Sequence, residues 1–388
     1  MKSTLGVIAA CLIGSAATAA DMSSDEFLRQ AVRDATIPSD GVANAGVGGL
    51  NRWLNDLQLR GTEDPDKHGY ALRLSPKMPR QIAAEKSIMK LHREQREVAS
   101  LSDLNDRLKL QYERWLNLQE LRDRVSATER AQTQADAEVL FQRSLAQTTD
   151  FQPRALLEAE LSLAQYAEAV RMQRGRLSAA QAELAISVPA RGLIAMDELL
   201  RTIAVTAEDV PSIGERADAL ALELANQKVR AERARQGLAL DLMQVEMATD
   251  ETTRTRTVGF LVGLRLPLGG ASFSSAERQY ELFSARTDLR HRTTISRSTA
   301  AELRDVLAWH GSEVEALDRT LAALDERQQR ARTNGDVAVL QREQIKTNER
   351  RTDVRYRALR TYLDLLHLNG QLAAPPLRNW LLPGLQPL

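Results

Sequence analysis

Apolar residues recur along this chain at two periods, and the period changes at definite places. From residue 80 to residue 152 there is neither glycine nor proline, and Leu101, Leu104, Leu108, Tyr112, Trp115 and Leu118 stand three or four residues apart. That spacing lays one apolar stripe along a helix. Ready helix formers (Ala, Leu, Glu, Gln, Arg, Lys) fill the other positions, and a single helix of this length would reach about 100 Å. Ser126-Ala127-Thr128-Glu129 has the form of a capping box and predicts a break inside the run. A second helical pattern covers 154–186 and stops at Val188-Pro189, with Leu157, Leu161, Ala164, Ala167, Val170, Leu177 and Leu184 assigned to its inner side. The polar segment Thr148-Thr149-Asp150-Phe151-Gln152-Pro153 reads as a turn, so the two helices are expected to fold back as a hairpin. Residues 189–212 read as a loop and 213–236 as a third helix.

The second half repeats this plan. Leu303, Leu307, His310, Val314, Leu317, Leu321 and Leu324 alternate steps of four and three inside the proline-free stretch 271–334, which is a coiled-coil seam. Thr333-Asn334-Gly335-Asp336 reads as a turn, and the chain returns as a helix over 337–368, stopping at Asn369-Gly370. Ahead of each long helix the period falls to two. Leu57-Gln58-Leu59-Arg60 and Tyr70-Ala71-Leu72-Arg73-Leu74 flank a polar turn, and Met243-Gln244-Val245-Glu246-Met247 is followed by Phe260-Leu261-Val262-Gly263-Leu264-Arg265-Leu266 across a threonine-rich turn, giving two β-hairpins. The expected fold is mainly α: long antiparallel coiled-coil helical hairpins with two short β-hairpins, duplicated as hairpin, helix, turn, helix. Domain limits follow as 1–20, 21–52, a first repeat 53–210, a second repeat 211–374 and a tail 375–388.

Residues 1–20 combine Lys2, a short apolar core and a small-residue end at Ala19-Ala20, the pattern of a secretory signal peptide. Ile8-Ala9-Ala10-Cys11 also fits a lipoprotein signal, though little apolar sequence precedes Cys11. With cleavage at Ala19 or Ala20 the single cysteine is lost, leaving no disulfide, thiolate metal site or cysteine nucleophile. Lys plus Arg and Asp plus Glu both total 52 and are interspersed, which argues against a nucleic-acid partner. No stretch after the signal approaches the roughly 18 apolar residues a spanning helix needs. A closed β-barrel is the remaining way across a bilayer, because only closure leaves no backbone group unpaired in lipid. Two hairpins are too few to close one alone, but an oligomer that pools its strands could. Tyr70, Leu72, Leu74, Phe260, Val262, Leu264 and Leu266 would then face lipid, with Arg73 and Arg265 either in the lumen or ordinary strand-edge charges. Two water-exposed hairpins with one sticky face are the competing reading.

The segment Val258-Gly259-Phe260-Leu261-Val262-Gly263-Leu264-Arg265-Leu266-Pro267-Leu268-Gly269-Gly270, the alanine-rich helix 158–186, and Arg355-Tyr356-Arg357-Ala358-Leu359-Arg360-Thr361-Tyr362-Leu363 closing at Leu368-Asn369-Gly370 together resemble the TolC-type outer-membrane efflux factors. The resemblance covers most of the mature chain. It implies a homotrimer with four strands per subunit in an outer-membrane β-barrel and helices forming a periplasmic α-barrel. It implies a passive conduit, partnered by a periplasmic adaptor and an inner-membrane pump, with no cofactor. Two departures stand out. Only 24–35 reads as helix before the first strand, where the family has a substantial helix, and the first helical tip carries Gln147-Thr148-Thr149-Asp150 in place of a glycine turn. A periplasmic coiled-coil protein that binds envelope partners without a pore is the alternative function.

Enzyme chemistry has no residues to rest on. His68, His92, His291, His310 and His367 never pair at ligand spacing, and no phosphate loop, nucleophile elbow or zinc-protease helix occurs. His310 reads as a polar residue tolerated in the seam. Asp150, Gly335 and Asp336 mark the helical tips, where an acidic ring could charge a pore entrance; aspartate also simply suits turns. Trp53, Tyr70 and Trp380 are candidates for a bilayer interface.

Overall fold

A computed structural model of the chain describes residues 24–35, 53–64, 67–147, 151–184, 193–206, 211–236, 239–250, 253–265, 273–331 and 334–384. In chain order these form α1 (Ser24–Ala35), β1 (Leu54–Asp64), β2 (Lys67–Pro76), α2 (Pro79–Ser144) with a 3-10 turn at Leu145–Gln147, α3 (Pro153–Leu184), α4 (Met196–Thr206), α5 (Ile213–Gln236), β3 (Ala239–Asp250), β4 (Thr255–Arg265), α6 (Phe273–Arg330), α7 (Asn334–Leu368) and a 3-10 turn at Gln371–Ala373. The expected fold class holds, with long helices and one small antiparallel sheet. The contacts divide the chain into two compact units, one built from 1–34, 104–210 and 299–388, the other from 35–103 and 211–298.

In the first unit, ion pairs fix which helices are neighbours. Arg143 meets Glu160 at 2.8 Å and Arg174 meets Glu129 at 2.6 Å, so α3 runs antiparallel beside α2. On the other side of α2 lies α7, through Arg342 with Glu138, Arg124 with Asp353 at 2.9 Å and Arg360 with Glu120. Beyond α7 comes α6, through Arg350 with Glu313 at 2.8 Å and Arg351 with Asp318. The lateral order is therefore α3, α2, α7, α6. Each exposed pair contributes on the order of 0.2–1 kcal/mol, so they set register while apolar burial holds the layer.

The core beneath this layer gathers Leu108, Tyr112, Trp115 and Leu116 of α2, Leu307 of α6, Tyr356, Leu359, Tyr362 and Leu363 of α7, Leu28 of α1 and Leu199 of α4. From the predicted stripe and seam, Leu108, Tyr112, Trp115 and Leu307 enter this core, while Leu118, His310, Val314 and Leu324 are buried outside it. The C-terminal segment is stitched in as well. The Tyr112 hydroxyl donates to the Arg378 carbonyl at 2.9 Å and accepts the Trp380 N–H at 3.3 Å. Asn379, fully buried, donates to Asp25 at 2.7 Å, and the Ile194 N–H reaches the Leu381 carbonyl at 2.9 Å.

Several sequence expectations are corrected here. α2 passes through Ser126-Ala127-Thr128-Glu129 unbroken, because Thr128 turns its hydroxyl to the Arg124 carbonyl at 2.8 Å and to Gln173 at 2.9 Å in place of capping. On α3, Leu157, Leu161 and Ala164 face outward, and the buried residues are Ala159 and Val170. The helix carries more apolar positions than one neighbour covers. Residues 196–206, read as loop, form α4, whose Leu199 is fully buried. Trp380 is buried in the core, so it stands at no surface, whereas Trp53 and Tyr70 are exposed. α7 begins at Asn334, three residues earlier than the sequence suggested, and ends as expected at Gly370, whose φ of 69° is the left-handed conformation glycine takes most readily.

Candidate functional site

The second unit carries the sheet. Its strand order is β1-β2-β3-β4, antiparallel throughout, so the two hairpins join through β2 and β3. The strands are 11, 10, 12 and 11 residues long. The base of the sheet is tied to α2: the Lys77 N–H donates to the Trp53 carbonyl at 2.7 Å, Gln81 donates to Asn55 at 3.0 Å, and Lys77 pairs with Glu85 at 2.7 Å.

Because side chains alternate across a strand, the register decides which residues share a face. One face stacks Leu57, Leu74, Met243 and Val262 in one row, Leu59, Leu72, Val245 and Phe260 in the next, and Gly61, Tyr70, Met247 and Val258 in a third. Every large side chain in these rows is apolar, and most are exposed: Leu59 is 74% accessible and Phe260 78%. Leu264 continues this face along β4, also exposed. The next row toward the hairpin tips, Glu63, His68, Thr249 and Arg256, is polar.

The opposite face reads Asp56 and Ser75 in one row, Gln58, Arg73, Gln244 and Leu261 in the next, then Arg60, Ala71, Glu246 and Gly259, then Thr62, Gly69, Ala248 and Thr257. The glycines corroborate the assignment. A Cβ at Gly259 would meet Glu246 at 3.8 Å and one at Gly61 would meet the Tyr70 ring at 3.9 Å, each on its own face. At Gly263 a Cβ would stand 3.0 Å from Leu242, so the leucine occupies the space the glycine leaves. Hydrogen bonds run along this polar face: Gln58 donates to Asp56 at 2.5 Å, Arg60 to Gln58 at 3.0 Å, and Gln244 to Glu246.

Of the sequence candidates, the structure gathers Tyr70, Leu72, Leu74, Phe260, Val262 and Leu264 onto the apolar face and sets Arg73 on the polar one. Arg265 ends β4, paired with Ala239. Leu266 and Asp150 lie outside the described residues. Gly335 and Asp336 occupy the first turn of α7, where an acidic side chain is favoured by the helix dipole. The reading of 333–336 as a turn is corrected to that extent. Sequence reasoning missed Leu57, Leu59, Met243 and Met247 as members of the apolar face; the signal was there in their alternation, but it needed the β2–β3 pairing to align it. Gln58 and Gln244 were visible as alternating polar positions, but only the pairing of β2 with β3 sets them in one row with Arg73.

Among the described residues no helix is long and apolar enough to cross a membrane, and no cluster of three or more His, Cys, Asp or Glu could hold a metal ion.

A small four-stranded antiparallel sheet joined to very long helices is the fold seen in solved outer-membrane channel structures. The likeness extends to solved structures: CusC, described through its folding and transmembrane channel formation, at TM-score 0.57 and 14% identity over 89% of this chain and 88% of that one; the Campylobacter jejuni outer-membrane channel CmeC at 0.51 and 12% over 89% and 82%; and the Vibrio cholerae outer-membrane protein VceC at 0.50 and 14% over 89% and 92%. No protein-family profile and no curated protein sequence matches the chain.

Proposed function

We propose that this protein is the outer-membrane conduit of a tripartite export system, a homotrimer that catalyses no reaction. The observation that carries the proposal is a sheet with one apolar and one polar face whose outer strands, β1 and β4, have no further partner among the described residues. An apolar face this exposed, bounded by unpaired strand edges, is an aggregation hazard in water but the required surface in lipid. Strands of 10–12 residues suit a tilted crossing, which needs about 9–11. Tyr70, Leu72, Leu74, Phe260, Val262, Leu264 and Leu266 would face lipid, and Arg73 and Arg265 the lumen.

Three copies would close the sheet and abolish its edges. The helical layer offers a neighbouring subunit a surface as well. Its lateral order ends at α3 and α6, and α3 keeps Leu157, Leu161 and Met172 exposed, a second apolar stripe available to a neighbouring subunit. The tips bearing Asp150, Gly335 and Asp336 would meet a periplasmic adaptor and, through it, an inner-membrane pump. Export through the signal at 1–20 would deliver the chain to the periplasm and outer membrane.

The test is membrane fractionation of the expressed protein, unheated gel electrophoresis and planar-bilayer conductance. Outer-membrane location, a heat-modifiable trimer and discrete conductance are expected. A soluble periplasmic species without conductance would refute the conduit and favour a coiled-coil partner protein.

A further inference from the structure

The polar face of the sheet has one row unlike its neighbours. Gln58, Arg73, Gln244 and Leu261 are all long side chains, while the adjoining rows contain Ser75, Ala71 and Gly259, and the row beyond them Gly69 and Ala248. If the sheet closes as proposed above, on which this inference rests, the strand tilt turns each row into a slanted band, the three copies of each residue come to one level, and the row with no small residue projects furthest into the lumen.

Charge is distributed unevenly as well. The acidic groups nearest Arg73 along the face are Asp56 and Glu246, one row away on either side, about 7 Å along the strand. Each already accepts the side-chain amide of a glutamine from the Arg73 row, Gln58 on Asp56 and Gln244 on Glu246. The Gln58 carbonyl in turn accepts Arg60 at 3.0 Å. Arg73 is left among amides, with no carboxylate bonded to it among the described residues, its five donors in a fork suited to anions.

We infer that Arg73 forms a ring of guanidinium groups at the narrowest level of the barrel and biases passage toward anionic solutes. Three copies of four strands, spaced about 4.8 Å and tilted about 40°, give a backbone radius of about 12 Å. An arginine reaching about 6 Å inward leaves a passage about 6 Å in radius, less than the Debye length of about 10 Å at 0.1 M salt. The guanidinium field therefore reaches the axis instead of being screened at the wall. Leu261, in the same row and 53% accessible, adds bulk without charge.

The experiment is planar-bilayer recording of the full-length trimer under an asymmetric KCl gradient, comparing the wild type with Arg73→Gln and Arg73→Lys, each first shown to migrate as the heat-modifiable trimer. The wild type is expected to prefer chloride, Arg73→Gln to lower the chloride-to-potassium permeability ratio about threefold, and Arg73→Lys to retain most of it. Conductance in all three with an unmoved ratio in Arg73→Gln overturns this inference alone. A wild-type trimer that never conducts overturns the conduit and this inference with it.

Discussion

Adjacent residues on β4 provide the sharpest test of the two-faced sheet. Phe260 and Leu261 are both exposed, at 78% and 53%, both apolar, and one position apart, yet the register sets them on opposite faces. Along β4 the apolar face runs from Val258 to Leu264, seven residues or about 20 Å of strand, and Phe260 lies about 3 Å from its middle. An arginine on the lipid side near the bilayer midplane costs about 2–4 kcal/mol, so Phe260→Arg should destabilise the trimer by about 6–12 kcal/mol in all. Leu261→Arg, placing the same charge in an aqueous lumen, should cost under about 1 kcal/mol per subunit. Heat-modifiable gel migration and urea unfolding of the micelle-bound protein measure both, with outer-membrane fractionation as the cellular readout. A water-exposed hairpin predicts that both variants fall within about 0.5 kcal/mol of wild type. Equal effects at the two positions, large or small, would refute the reasoning.

Other outcomes follow from the helical unit. Tyr112→Phe removes one hydroxyl that serves both the Arg378 carbonyl and the Trp380 N–H, so thermal unfolding should report a loss of about 1–3 kcal/mol. Gly335→Ala should leave stability unchanged or raise it by up to about 1 kcal/mol, because nothing stands within 4 Å of a Cβ there; a fall in export with no fall in Tm would assign that tip to docking. Burial holds His310 below the ordinary imidazole value, with Glu313 opposing and Arg357 assisting. The unfolded chain then binds a proton that the folded one refuses, so stability should be flat above about pH 6.5 and fall as pH drops from there toward the depressed folded value. His310→Leu should flatten that slope in denaturant titrations across pH 7 to 5.

How much was legible from sequence varies by element. The long helices were readable because nothing interrupts their period, and α5 came out at its observed limits, 213–236. α4 was obscured: Pro189, Gly192 and Pro211 crowd the segment with turn signals, and eleven residues are too few for a period to outweigh them. The capping-box pattern at Ser126 misled because the motif marks a helix start only where the backbone actually begins one. Here Thr128 had a partner on α3, at Gln173, that no local reading reveals.

By itself the sequence determined the two periods, 3.6 and 2, and hence which stretches are helix and which strand, since each depends on residues within one or two turns of chain. It also determined that Arg73 and the residues Tyr70, Leu72 and Leu74 lie on opposite faces, because alternation is a local property. Tertiary structure decided what those faces belong to. Pairing Tyr70 with Met247 aligns strands more than 170 residues apart, and a slip of one residue there would have put polar side chains into the apolar rows. It likewise decided that α3 buries Ala159 and Val170 while Leu157 and Leu161 face outward, because a helix with two apolar stripes does not itself say which one its own chain will cover.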